Sequence, residues 1–140
     1  MNFGPQVLPE PELMCRETLR ILKPSGVAGF TSWSQFGWHP SIKAVFPDFT
    51  LPPGLENKWT SSKVVTQTMI DLGFKDVVVT TNGNSAKMSV KQFTDVMEIA
   101  IPMLKEEGKK EKYVEYLMGQ ADAQGEVDMY WEALIATGKK

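Results

Sequence analysis

A chain of 140 residues, 42% of them hydrophobic, is long enough to bury one core, too short for two comfortable ones, and not composed like a disordered segment. Its net charge of −2 and pI near 5.4 leave no basic footprint for nucleic acid, and no apolar run approaches the ~18 residues that a membrane span needs. The lone Cys15 excludes an internal disulfide, and one cysteine with one histidine excludes a Cys/His zinc site, so the expectation is a metal-free, soluble, cytoplasmic protein of one domain over residues 1–140.

The opening Met-Asn-Phe-Gly-Pro has neither the basic start nor the apolar stretch of a signal peptide. Pro9-Glu10-Pro11-Glu12 then suits a helix start, because early helical amides have no internal partner and acidic groups favour the positive helix end. Apolar residues at Leu13, Met14, Leu19, Ile21 and Leu22 predict a helix to Leu22, stopped by Lys23-Pro24-Ser25-Gly26. Val27 to Trp33 is uncharged and of strand length, with the lack of polar alternation expected of a strand covered on both faces.

Residues 34–59 carry four prolines and two glycines and read as a long connection, with one short helix over Ile42 to Phe46. Thr60-Ser61-Ser62 caps a helix bearing Val64, Val65, Met69, Ile70 and Leu72, and Gly73 ends it. The β-branched run Val77 to Thr81 is a strand, and Asn82-Gly83-Asn84 marks a turn after it. Residues 90–107 predict a helix kinked or restarted at Pro102. Gly108 breaks it before a second helix over Lys109 to Gln124, and Val127 to Thr137 closes the chain as a buried strand.

Three stretches in this order carry a resemblance. Arg16 to Trp33 resembles the helix, Leu-Lys-Pro-Gly-Gly turn and strand that follow the cofactor half of class I S-adenosylmethionine-dependent methyltransferases, with Ser25 where that family most often has glycine. Leu72-Gly73-Phe74-Lys75-Asp76-Val77-Val78-Val79 is similar to the family's passage from helix into its sixth strand, and Trp131 to Lys139 to its closing antiparallel strand. Asn2-Phe3-Gly4 matches the end of the fourth strand and the loop that lines the cofactor's edge, unless it is simply a loose terminus. The likeness is to small-molecule methyltransferases of fungal natural-product pathways.

The resemblance implies an α/β, truncated Rossmann-like methyltransferase fold: a three-stranded mixed sheet in the spatial order first, last, middle, with flanking helices and a helical pair before the last strand. It also implies that residues 1–140 correspond to the C-terminal half of such an enzyme. Nucleotide cofactors of open α/β folds need a strand, a glycine-rich loop and a helix, with an acid at the end of the next strand. Gly26, Gly29 and Gly83 stand in no such arrangement. The expectation is no cofactor-binding residue, and S-adenosylmethionine bound only if a partner supplies the missing half.

Candidate site residues follow. His39, just past the first strand, is placed where ligands of open α/β sheets bind and can serve as acid or base; a His-Pro surface turn is the plainer alternative. Trp38, Trp59, Tyr113 and Tyr116, with Trp131, can line a substrate pocket beneath the helical pair; ordinary core is the plainer alternative. Without the family's fourth strand, Val27 to Trp33 would present a bare edge, so the chain is expected to form a homodimer or to meet a methyltransferase-like partner there. Three functions compete: a split methyltransferase subunit, a cofactor-independent isomerase or cyclase using the old pocket and His39, and a non-catalytic companion of a full-length relative.

Overall fold

The computed structural model describes residues 2–52, 55 and 58–140; Pro53 and Gly54 of the long connection, and Met1, lie outside the described residues. Among these residues the elements run α1 (Pro11–Ile21), β1 (Val27–Gln35), α2 (His39–Val45), α3 (Ser62–Asp71), β2 (Lys75–Ser89), α4 (Val90–Ala100), α5 (Lys109–Met118) and β3 (Glu126–Lys139), with 3₁₀ turns at Lys58–Thr60 and Pro102–Lys105. The sheet order is β1-β3-β2, as expected, and β3 pairs antiparallel with β1 from Val27↔Lys139 to Gln35↔Glu132. The sheet is antiparallel and not mixed. The reason is topological: the last strand inserts between the first two and opposes both, and a mixed sheet needs one parallel neighbouring pair.

The residues gather into two compact units, to both of which β2 and β3 contribute. The first comprises Met1–Phe36, Thr50–Asn84 and Trp131–Lys140. Its core joins Cys15 of α1, Phe30 of β1, Val65 and Met69 of α3, Phe74, and Leu134 of β3. Each such apolar side chain withdrawn from water stabilises by about 1.5–3 kcal/mol. The alternation of strands leaves Val27 and Ile135 exposed on the opposite face. At Gly138 the packing is tight: a Cβ there would stand 2.9 Å from Met69 Cε and 3.0 Å from Phe74 Cβ.

Local chemistry explains the boundaries of this unit. Ser61 caps α3, accepting a long bond from Val64 N–H (3.5 Å). At the other end Gly73 takes φ +101°, its N–H bonds Ile70 C=O and the Phe74 N–H bonds Met69 C=O, the paired bonds of a Schellman ending. Between α1 and β1, Gly26 N–H returns to Lys23 C=O (2.9 Å) with Pro24 leading the turn and Ser25 at φ 62°. A positive φ at that third position is the demand of a type II turn, which glycine meets without strain.

The second unit comprises Gly37–Phe49 and Ser85–Tyr130. Its core includes Ile42 of α2, Phe93 and Met97 of α4, Leu104, and Tyr113 and Leu117 of α5. Ser89 caps α4: its Oγ accepts from Gln92 N–H (3.3 Å) and donates to Gln92 Oε1 (3.0 Å). Pro102 restarts the chain as a 3₁₀ turn, as its missing N–H and fixed φ require. Lys110 ties α5 to α4 through Glu98 (2.6 Å) and Asp95 (3.1 Å).

Three local expectations are corrected. The strand after Gly73 does not turn at Asn82-Gly83-Asn84; β2 continues through it to Ser89. The short helix starts at His39, with proline in its first turn, and not at Ile42. Helix α5 ends at Met118, six residues before Gln124, because Asp122 organises the approach to β3, accepting from the N–H groups of Gln124 and Glu126 (both 3.0 Å).

Candidate functional site

The expected site residues fall into both units. Trp59 is in the core of the first unit, edge-on to Phe30 (6.1 Å between centroids), and its carbonyl accepts the Ser32 hydroxyl (2.5 Å). Trp38, His39, Tyr113 and Tyr116 are all in the second.

Within that second unit, Ser41 is the connecting residue. Its Oγ donates to Trp38 C=O (2.8 Å) and lies 2.7 Å from Tyr113 Oη. A hydroxyl has one proton, so with Ser41's committed to Trp38 the Tyr113 hydroxyl is the donor to Ser41. Tyr113 is fully buried, and burial pushes its hydroxyl up to about 12. It therefore stays neutral and holds α5 to α2; an ionised phenolate there is not accessible at physiological pH. Trp38 is likewise buried, with its ring edge-on to Phe49 (6.2 Å).

Tyr116, one turn beyond Tyr113, is half-buried and lines a cleft of about 350 Å³ with Pro40, Ser41, Gln120, Asp128 and Met129. Hydroxyl, carboxamide and carboxylate thus share one concavity with apolar walls, the mixture that orients a small polar ligand. His39 is not in that lining. Its ring is half-buried against Trp38 (5.9 Å) and Phe49 (6.4 Å).

In the first unit a second cluster assembles, of which the sequence indicated the members but not the meeting. Phe3 stacks on Trp33 at 4.3 Å and 14°, and Trp33 meets Trp131 at 5.5 Å. All three rings are half-buried, at the carboxyl end of β1. Beside them Ser34 Oγ donates to the Glu132 carboxylate (2.6 Å). Phe3 takes φ 51°, a conformation costly for a side chain with a Cβ; the Trp33 stack and a bond from its N–H to Thr31 Oγ1 (2.8 Å) hold it there. Gln6, almost wholly buried, donates to the carbonyls of Trp33 (3.1 Å) and Leu55 (3.3 Å) and accepts from Trp33 N–H (2.8 Å). Residues 3 to 6 are therefore packed against β1. No spacing signal announces such a contact, since residues near 3 and 33 meet only through tertiary structure.

Among the described residues no group of three or more His, Cys, Asp or Glu side chains converges, and no helix is long and apolar enough to cross a membrane.

The strand order β1-β3-β2 with β3 reversed, helices α1 and α3 on one face and a helical pair before the last strand, is a methyltransferase-like α/β fold. The comparisons with known proteins agree. The chain is 25% identical over 162 aligned positions to the methyltransferase tpcH of Aspergillus fumigatus, an alignment covering 99% of this chain and 57% of that protein. In fold it is similar to BH2331 of Bacillus halodurans C-125, a protein assigned as a methyltransferase, with a TM-score of 0.56 and 12% identity over 99% of this chain and 67% of the other. The chain thus spans little more than half the length of the curated relative. No family model matches it.

Proposed function

We propose that this chain acts as the substrate-side part of a small-molecule methyltransferase of secondary metabolism, and that S-adenosylmethionine is held only when a companion supplies the rest of the site. The observation that carries the reading is the likeness to tpcH along 99% of this chain. The three half-buried rings of Phe3, Trp33 and Trp131 at the carboxyl end of β1 support it. Aromatic faces favour both flat substrates and cationic groups such as a sulfonium. The companion is a second copy or a methyltransferase-like protein meeting the Val27–Trp33 side of the sheet. Because Gln6 already holds the Trp33 amide and carbonyl, side chains make that contact at Trp33, and strand addition does not.

Calorimetry tests the proposal. S-adenosylmethionine titrated into the purified chain should give no stoichiometric heat, and a companion recovered with the chain should restore binding. Stoichiometric micromolar binding by the monomer would overturn it.

A further inference from the structure

The second unit holds another cavity, built separately from the Tyr116 cleft and independent of the reading above. Phe46 to Phe49 form a tight turn closed by Phe49 N–H on Phe46 C=O (3.0 Å), and Lys43 Nζ donates to the carbonyls of Pro47 (2.7 Å) and Phe49 (2.8 Å). These bonds fix one wall of a cavity of about 420 Å³, whose lining includes Val45, Phe46, Phe49 and Met103 together with Lys109 and Lys112 of α5. The body of the cavity is therefore apolar and its α5 side cationic.

The two lysines are not equivalent. Lys109 Nζ is paired with Glu106 (2.6 Å). Lys112 makes no ion pair among the described residues; its Nζ lies 5.6 Å from the centroid of the Phe46 ring. A cation poised over one aromatic wall favours a ligand whose acid group meets the ammonium while its apolar body lies along the rings. Asp48 also lines the cavity and would repel a second negative group. We propose that this cavity binds a small amphipathic monocarboxylate: one acid group on a flat apolar body of about two fused rings, which suits a site of this size.

Amide NMR titration of the full chain with 1-naphthoate, and with neutral 2-naphthol as control, tests the site. Naphthoate should shift the amides of Phe46, Phe49 and Lys109 to Lys112 saturably and bind about five- to tenfold more tightly than naphthol. Lys112→Gln, at an exposed position, should bring naphthoate down to the level of naphthol without disturbing the rest of the spectrum. Met103→Glu should suppress both ligands. Equal affinity for the two probes, undiminished naphthoate binding by a natively folded Lys112→Gln variant, or shifts confined to other residues would each overturn the proposal.

Discussion

Ser25 stands in the turn between α1 and β1 at φ 62°, which has a physical cost. A left-handed backbone crowds Cβ against the carbonyl, a strain that glycine lacks. Ser25→Gly should therefore raise stability by about 0.5–1 kcal/mol, read as a higher urea midpoint with an unchanged slope. Its neighbour is different: at Gly26 an added Cβ would meet Lys23 O at 2.9 Å, so Gly26→Ala should destabilise. Two buried groups set the alkaline limit. Burial first, and the Glu12 carboxylate second, push the Cys15 thiol from 9.0 up to about 12, and burial pushes the Tyr113 hydroxyl from 10.0 up to about 12. In both cases the folded chain keeps a proton that the unfolded chain releases first. Their contribution is complete below the unfolded values and is lost as pH climbs through 9 and 10 toward 12. Urea midpoints should fall over that window, less steeply in Tyr113→Phe, and native Cys15 should resist thiol reagents at pH 8.

At the scale of elements, β2 departs most from what its residues suggest. It is 15 residues long, lies at the edge of the sheet, and is exposed from Thr80 through Lys87. Asn82-Gly83-Asn84 has the composition of a hairpin turn, yet it runs straight on. A turn needs a following strand that folds back, and the partner of β2 is β3, which comes only after α4 and α5. Local composition cannot report a partner that lies some forty residues ahead. The weak propensity of this stretch should still be visible: amides of residues 81–87 should exchange with solvent far faster than those of Phe30 or Leu134. A uniform rate along β2 and β3 would contradict this. Elements bounded by their own chemistry were legible from sequence: α1 ahead of Lys23-Pro24, α3 between Ser61 and Gly73, and the restart at Pro102. The start of α2 at His39 was not, because His-Pro serves a turn and a first helical turn equally well. Of the site residues, Trp59 and Tyr113 could be read as pocket or as core, since both follow polar stretches and only the folded chain shows them buried, and the meeting of Phe3, Trp33 and Trp131 depended on where residues 3 to 6 come to rest.

For the whole molecule, the governing contact is the one made by Gln6. Its carboxamide gives and receives the two bonds that a neighbouring strand would exchange with Trp33, and reaches Leu55 as well. Gln6→Ala leaves those backbone groups unpaired and should destabilise by about 1–3 kcal/mol. Light scattering should also show concentration-dependent self-association of the variant, since an unguarded edge templates pairing. A variant that stays monodisperse at high concentration would show that Gln6 does not guard the edge. One amide side chain, by imitating a peptide group, converts that end of the sheet from an indiscriminate zipper into a finished seam. A partner meeting the sheet there would have to be recognised through side chains, and not through the main chain that every protein shares.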